Sequence, residues 1–314
     1  MCSVYDIVSQ RRKKILSSAD CSSKEFISVA FSPLNEKSYM ITLTGEPEWM
    51  LILWQWDKSK CIAFQRVGVS GNQLLYQCSF NIQDPNCIVV TGNGVYKYYK
   101  LKDNGLKAEH TQMNKKEAHI SNHFTCHTWL HDNRLIVCTE QGELLLLEQS
   151  GEYKMHLACS PGEGFCIESI ITHPKGFVIA GDNGQIMVFE RTEEPKNPYS
   201  RIAVLPSADP KQEKEFPQLM LSIMACRVKS LALSPSDDMI VFTTENNQLM
   251  KVQVNLERAN EDTKYEYLVY PFHSRAVHGM DCCIKKQLLA TCSSDKTVRI
   301  WNFHLKTLEI CESF

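Results

Sequence analysis

The stretch LLATCSSDKTVRIWNF, residues 288–303, decides the fold. An apolar run leads into the polar residues Ser-Ser-Asp-Lys, and a second run then alternates Val298, Ile300 and Phe303 with polar residues. Apolar alternation on both sides of a short polar turn is typical of a β-hairpin. The sequence therefore predicts two antiparallel strands here, closed by the turn around Asp295.

Five earlier stretches repeat this pattern of a β-prone run, a turn rich in Gly, Asn, Asp or Glu, and a second alternating run. They begin at Tyr39, Cys87, Leu135, Phe177 and Met239. Two of the turns contain Asn-Gly, at 93–94 and 183–184, which suits the positive φ angles of tight hairpins. The six hairpins recur about every 45 residues, with one longer interval, and this period is typical of propeller blades.

The residues around each hairpin repeat as well. An apolar strand and a proline-containing turn precede four of the hairpins, with the prolines at Pro33, Pro85, Pro174 and Pro235. Because proline cannot donate to a ladder, these residues mark links between strands. A more polar strand follows each hairpin, so the unit has four strands. Sheets with two apolar faces must be covered on both sides, and stacking around an axis covers them.

The predicted fold class is all-β, a propeller of six complete four-stranded blades and a half-blade at the N-terminus. We expect one domain, residues 1–314, with a partial blade at 1–20 and a long loop at 191–225. The complete blades are expected at 21–70, 71–108, 120–155, 165–205, 226–262 and 270–314. The half-blade suggests a fragment or short isoform with an imperfectly closed ring, whose open edge invites self-association.

Composition favours an ordinary soluble globular protein and argues against nucleic acid and membranes as partners. The net charge is −2 and hydrophobic residues make up 43% of the chain, so nothing attracts nucleic acid globally. No apolar run is long enough to span a bilayer. The chain has 14 cysteines and no C-x-x-C pair, and we expect reduced, mostly buried thiols. The thiols expected to be buried within apolar strands are Cys78, Cys87, Cys138, Cys282 and Cys292.

The last hairpin resembles a blade of the WD-repeat proteins. Trp301-Asn302 closes its third strand where that family has Trp-Asp, and Trp56-Asp57 shows the pair itself in the first blade. His273 stands where the family often has Gly-His, and Asp295 occupies the turn. The resemblance implies a structural network of His273, Ser293 (or Thr291), Asp295 and Trp301.

A closer resemblance spans most of the chain. The motifs ISVAFSP, VTGNGVYK, CHTWLHDNRLIVCTEQGELLLLE and YEYLVYPFHSRAVHGM resemble the N-terminal propeller region of the cilia- and flagella-associated WD-repeat proteins of the fifty-seven type. Those proteins are longer, with a second propeller and a coiled-coil region. The resemblance implies a component of the motile axoneme, located in the cytoplasm and cilium, with tubulin, dynein-arm or other axonemal proteins as partners.

The residues themselves favour a non-enzymatic interaction scaffold without cofactors. Two alternatives remain: a general cytoplasmic WD-repeat adaptor, in trafficking or ubiquitin-ligase assembly, and a propeller enzyme. No G-x-S-x-G, P-loop or H-E-x-x-H motif occurs, and TGNGVYK lacks the third glycine of a dinucleotide site. Propellers do host enzymes, so the fold alone does not decide.

Four histidines spaced by four, His119, His123, His127 and His131, would align on a helix, and Cys126 would add a thiolate for zinc. Residues such as Phe124, Thr125, Thr128 and Trp129 favour a strand instead. A four-residue spacing on a strand covers roughly 13 Å, too far for one ion. We therefore predict structural histidines and no metal site.

Candidate partner contacts are few. The only dense basic run comprises Arg11, Arg12, Lys13 and Lys14, which could meet an acidic surface such as that of tubulin. Trp49, Tyr96 and Tyr98 lie near turns as possible interface anchors, although packing between blades is the expected role of at least two of them. The charged, proline-rich stretch from Glu193 to Pro217 is expected to be a surface loop.

Overall fold

The computed structural model describes residues 2–17, 23, 25–34, 38–68, 71, 73–102, 105–110, 113, 120–205, 226–254, 265–269 and 272–314. In this part of the chain the regular structure is β-sheet, with two 3₁₀ turns, Trp56–Lys58 and Asp182–Gly184. None of the described helices is long and apolar enough to cross a membrane. Two compact units are distinguished: residues 1–179 with 188–202, and residues 180–187 with 203–314.

Twenty-six strands form one two-stranded sheet and six four-stranded sheets, all in chain order. The two-stranded sheet, named the half-sheet, comprises β1 (Cys2–Tyr5) and β2 (Arg12–Leu16). Sheets 1 to 3 comprise β3 (Phe26–Phe31), β4 (Tyr39–Thr44), β5 (Met50–Gln55), β6 (Lys60–Arg66); β7 (Leu75–Phe80), β8 (Cys87–Gly92), β9 (Val95–Lys102), β10 (Gly105–His110); and β11 (Phe124–Trp129), β12 (Leu135–Thr139), β13 (Leu144–Leu147), β14 (Tyr153–His156). Sheets 4 to 6 comprise β15 (Ile167–His173), β16 (Gly176–Gly181), β17 (Ile186–Arg191), β18 (Tyr199–Leu205); β19 (Val228–Leu233), β20 (Met239–Thr244), β21 (Leu249–Gln253), β22 (Tyr265–Tyr267); and β23 (Val277–Cys282), β24 (Leu288–Ser293), β25 (Thr297–Asn302), β26 (Thr307–Ser313).

This strand order confirms the predicted fold class of six four-stranded units and a half unit. The opening hairpin is β24–β25, with Leu289 opposite Trp301 and the turn centred on Asp295. Asn183 and Gly184 both adopt positive φ, and in the other Asn-Gly turn Gly94 alone does. Each proline marker lies between the first two strands of its sheet, as expected from its missing N–H.

Apolar side chains alternate along the strands of sheet 2 so that both of its faces are buried. One core cluster joins Ile41 and Leu53 of sheet 1 to Val90 and Tyr99 of sheet 2. A second cluster packs the other face of sheet 2 against sheet 3, and here Tyr96 and Tyr98 are buried. The predicted packing role of these two tyrosines is therefore confirmed.

The cysteine expectation was correct for the first unit and wrong for sheet 6. Cys78, Cys87 and Cys138 are buried, but Cys282 and Cys292 are exposed. The reason is that β23 is exposed along nearly its whole length, so an apolar run in sequence does not become a core strand there. Within the predicted loop 191–225, Tyr199–Leu205 form the strand β18, which is the outer strand of sheet 4. Residues 206–225 of that prediction, and His119 of the histidine series, lie outside the described residues.

Candidate functional site: blade networks and exposed surfaces

A chain of side-chain hydrogen bonds links the strands of sheet 6. His273 Nδ1 lies 3.0 Å from Asp295 Oδ2, and its Nε2 lies 2.8 Å from Thr291 Oγ1. The indole Nε1 of Trp301 donates to the same Thr291 oxygen at 2.9 Å. Of the two hydroxyl residues considered from sequence, Thr291 joins histidine to tryptophan. Ser293 instead accepts a hydrogen bond from the Asp295 N–H at 3.2 Å.

Asp295 acts as a charged acceptor at the centre of this network. Burial alone would raise the pKa of Asp295, but hydrogen bonds from Thr297, from the Ser274 N–H and from His273 outweigh burial and hold the pKa well below its usual range. The Ser274 N–H donates at 2.9 Å and the Thr297 hydroxyl at 2.7 Å. These hydrogen bonds stabilise the sheet, because the carboxylate accepts them from its own hairpin and from the segment that precedes the sheet.

Sheet 1 contains the matching tryptophan–threonine bond, two residues before the position expected from sequence. Trp54 is fully buried on β5, and its Nε1 donates to Thr42 Oγ1 at 2.9 Å. Trp54 lies opposite Met40, two residues before Thr42, just as Trp301 lies opposite Leu289, two residues before Thr291. The expectation that Trp56-Asp57 is the blade's pair was wrong, because these residues form a 3₁₀ turn after the strand.

Sheet 3 has an acidic residue that sequence reasoning missed. The Glu143 carboxylate, in a buried residue beside β13, accepts hydrogen bonds from Thr139 Oγ1 at 2.8 Å and from the Ser121 N–H at 3.0 Å. Asp295 likewise takes an N–H from the segment before its sheet. The sequence spacing could have revealed Glu143 as the counterpart of Asp295, because a threonine precedes each acid by four residues, at Thr139 and Thr291.

The histidine series falls on and around strand β11, as the strand prediction required. His127 is buried, with Nε2 2.7 Å from Ser79 Oγ and Nδ1 2.8 Å from Thr91 Oγ1. His123 instead contacts Glu140 and Tyr76, at 2.6 Å and 2.9 Å. Among the described residues, no group of three or more His, Cys, Asp or Glu side chains is placed to hold a metal ion.

His127 makes stability depend on pH. Burial lowers the pKa of His127 to about 3, whereas an unfolded histidine has a pKa of about 6.5. The unfolded state therefore binds the proton first as pH falls, and stability is lost between these two values. Between pH 7 and pH 5 we expect His127 to account for about 2 kcal/mol of lost unfolding free energy.

Urea unfolding of the variant His127→Gln tests this expectation, because glutamine does not titrate. Between pH 7 and pH 5 the variant should lose about 2 kcal/mol less unfolding free energy than the natural chain loses. The exposed His131→Gln is the control, and an unchanged pH dependence in His127→Gln would contradict the assignment.

Part of one face of sheet 1 is left exposed. The half-sheet covers the middle of this face, since Val4 and Leu16 pack in one cluster with Ile52 and Trp54 of β5. On the inner strand β3, Val29 and Phe31 remain 55% and 54% exposed. Their cross-strand partners, Thr42 and Met40, show that both lie on the face that the half-sheet covers further out. Within the described residues β1 pairs with β2 alone, so its other edge has no strand partner there.

The predicted contact residues occupy different settings. Arg12, Lys13 and Lys14 lie on β2, directly after the exposed Arg11, and Lys13 pairs with Asp6 at 3.4 Å. Trp49 is half-buried in the β4–β5 turn with a φ of 48° and packs against the core shared by sheets 1 and 2. The structure therefore does not bring Trp49 together with the basic run in one described cluster.

An open cavity of about 760 Å³ lies beside sheets 3 and 4 in the first unit. Its charged lining consists of Arg134, Lys154, Lys175, Glu190, Arg191, Glu193 and Glu194. Arg134 and Arg191 both contact Asp132, at 2.5 Å and 3.5 Å. Four cations and three carboxylates line this polar groove, so its charge has no dominant sign.

Comparison with known proteins agrees with this geometry. Residues 265–302, which carry the His273 network, match the family described as WD domain, G-beta repeat. The β-propeller domain of Myceliophteria thermophila Cps50 (Swd1) matches 96% of the chain and 90% of that domain, with a TM-score of 0.64 and 12% identity. Raptor of Chaetomium thermophilum matches 93% of the chain and 25% of that protein, with a TM-score of 0.58. The chain thus has a β-propeller fold, and residues 265–302 form a WD repeat.

The particular resemblance is to cilia- and flagella-associated protein 57. The chain is 33% identical to protein 57 A of Tetrahymena thermophila over 313 residues, covering 96% of this chain and 23% of that protein. It is 30% identical to the protein 57 of Mus musculus, covering 97% of this chain and 27% of that protein. The chain therefore spans about a quarter of the length of these curated relatives.

Proposed function

We propose that this chain is a non-enzymatic protein-interaction scaffold of the motile axoneme that supports dynein-arm or doublet-microtubule assembly and ciliary motility. The observation that carries the proposal is similarity over nearly the whole chain to two proteins named as cilia- and flagella-associated. On this proposal the chain is located in the cytoplasm and in the axoneme of the cilium, and its partners are tubulin, dynein-arm or other axonemal proteins.

The site geometry supports a scaffold over an enzyme. The polar side chains that could suggest catalysis are bonded to other parts of the fold. Asp295, His273 and Glu143 bond within their own sheet or to the segment before it. His127 of sheet 3 bonds to Ser79 and Thr91 of sheet 2. Catalysis requires a group poised toward a substrate, with its proton available for transfer. Rigid sheets with charged and apolar surfaces outside these networks instead suit recognition of other proteins.

Retention in extracted cilia tests the proposal. An epitope-tagged chain expressed in multiciliated cells should remain with the axoneme after the membrane is removed by non-ionic detergent. A tagged WD-repeat propeller of similar size from a trafficking complex is the control and should be released. Complete release of the chain with the soluble fraction would contradict an axonemal position.

The alternative is a general cytoplasmic WD-repeat adaptor, in trafficking or ubiquitin-ligase assembly, and the WD repeat and propeller fold support it equally. Expression restricted to multiciliated cells and testis supports the axonemal proposal, whereas expression in every tissue supports the adaptor. A propeller enzyme is the remote alternative, which a turnover assay guided by a bound substrate would have to establish.

We also propose that the scaffold self-associates through the exposed apolar residues Val29 and Phe31 and the unpaired edge of β1. An apolar area beside a free strand edge is a template for pairing with another chain. We expect the mass in analytical ultracentrifugation to rise with protein concentration. The double variant Val29→Asp/Phe31→Asp should shift this association to at least about tenfold higher concentration, because each carboxylate would be buried at the contact. The equally exposed Phe64→Asp, on the outer strand of the same sheet, is the matched control. A chain that stays monomeric and melts cooperatively at high temperature would contradict this property.

A further inference from the structure

Positive charge is concentrated on one part of the first unit, although the whole chain carries a net charge of −2. Residues 50–108 contain seven lysines and arginines against three aspartates and no glutamate. The half-sheet adds the basic run that begins at Arg11. These basic segments are far apart in sequence, so no single sequence motif indicates that they lie on one surface.

The fold places their outer strands in succession. The 3₁₀ turn Trp56–Lys58 packs beside β2, and β6, which follows that turn, packs beside β10. Five exposed cations lie along this succession, and we name them the basic belt: Arg11, Arg12, Lys58, Lys60 and Lys107. Within the described residues, no member of the basic belt has an ion-pair partner.

Three acids that flank the basic belt in sequence are paired with other cations. Asp6 pairs with Lys13 at 3.4 Å, and Glu109 pairs with Lys102 at 2.7 Å. Glu48, at the turn of sheet 1, pairs with Arg66 at 3.2 Å. Asp57 lies in the same 3₁₀ turn as Lys58, so one carboxylate stands among five cations and the basic belt keeps a net positive charge. Uncompensated charge of one sign raises the local concentration of an oppositely charged partner and speeds its association.

We propose that the basic belt is the docking surface for an acidic, glutamate-rich polypeptide segment. Arg12, Lys60 and Lys107 lie on β2, β6 and β10, which are the outer strands of their sheets. The free edge of such a strand presents both N–H donors and C=O acceptors. A polypeptide complements both kinds of group, as in strand addition to a sheet edge. A phosphate backbone has acceptors for the N–H groups but no donor for the carbonyls. The acidic remainder of the chain also opposes a long polyanion more than a short acidic segment.

Fluorescence anisotropy with a labelled twelve-residue peptide of alternating Glu and Gly tests the assignment. The purified natural chain should bind it, and raising the salt concentration should weaken the binding. The variant Arg12→Glu/Lys58→Glu/Lys60→Glu/Lys107→Glu should bind at least about tenfold more weakly, because four favourable charge contacts become repulsive.

A variant with four exposed lysines reversed elsewhere is the control: Lys196→Glu/Lys285→Glu/Lys286→Glu/Lys306→Glu carries the same change in net charge. Circular dichroism and thermal melting establish that both variants are folded. The proposal is overturned if the natural chain does not bind the peptide, or if the two variants bind it equally. Tighter binding of a single-stranded oligonucleotide of equal charge overturns it as well. Because the measurement uses purified protein, its outcome does not depend on whether the chain is retained in the axoneme.

Discussion

Replacing Trp54 by alanine is expected to lower the free energy of unfolding by about 3–5 kcal/mol, whereas Trp56→Ala should cost about 1 kcal/mol. Trp54 is fully buried between sheet 1 and the half-sheet, in contact with the cluster that contains Val4 and Leu16. Replacing the Trp54 side chain leaves a large cavity and removes the indole N–H that donates to the Thr42 hydroxyl. Trp56 is only partly buried at the edge of the same cluster. Urea titrations of the two variants measure the difference.

This comparison decides which tryptophan holds the blade. Equal losses, or a larger loss for Trp56→Ala, would contradict the structural equivalence of Trp54 and Trp301. If Trp54→Ala is too unstable to purify, Trp54→Phe keeps most of the ring volume and removes the indole N–H. That variant should still be less stable than the natural chain by about 1–2 kcal/mol, because the buried Thr42 hydroxyl loses its indole donor.

Asp295→Ala is expected to cost about 2–4 kcal/mol of unfolding free energy. The Asp295 side chain is 5% exposed, and its removal leaves the Ser274 and Thr297 N–H groups and His273 without their acceptor. Buried donors without a partner cost about 1–3 kcal/mol each, partly recovered where water enters. Asp281→Ala, at an exposed position of the same sheet, is the control and should change stability by less than about 0.5 kcal/mol.

The pH dependence of this difference follows from the sign of the pKa shift. Because the folded pKa of Asp295 is lowered, the stabilisation is present above the unfolded pKa of about 4 and is lost as pH falls below that value. The difference between the natural chain and Asp295→Ala should therefore shrink in acid. A difference that grows below about pH 4 would show that the carboxylate is not held in its charged form.

The β architecture was predictable because its signals are local. Alternation sets which face each strand buries, and residues such as Asn183 and Gly184 fix turns by their backbone preferences. The half-sheet could also be anticipated, because the runs around Val4 and Leu16 resemble the third and outer strands of the other sheets. Exposure of Cys292 could not be anticipated, since burial depends on what packs against a strand and not on the strand's own residues.

The errors within the blade networks have a common cause. Thr291 and Ser293 lie two residues apart on β24, so both side chains point to the same face and have the same chemistry. Trp54 and Trp56 are also two residues apart, and only the end of β5 at Gln55 separates strand from turn. Alternation with a period of two determines which face of the sheet a side chain occupies. It does not determine which of two residues on that face meets the bonding partner, because the position of the partner is set by the neighbouring strands.

The exposed surfaces were only partly visible in sequence. The basic run at residues 11–14 is contiguous, and its surface position was expected. Its continuation through Lys60 to Lys107 depends on the packing of β6 beside β10, which brings together positions 47 residues apart. The exposure of Val29 and Phe31 likewise depends on a strand pair that the half-sheet does not contain.

Proximity labelling in multiciliated cells tests the central claim most directly, namely that this propeller is an axonemal interaction scaffold. The chain fused to a labelling enzyme should biotinylate tubulin, dynein-arm subunits or other axonemal proteins well above a fusion carrying an unrelated WD-repeat propeller. Labelling restricted to trafficking or ubiquitin-ligase components, with no axonemal protein recovered, would contradict the claim.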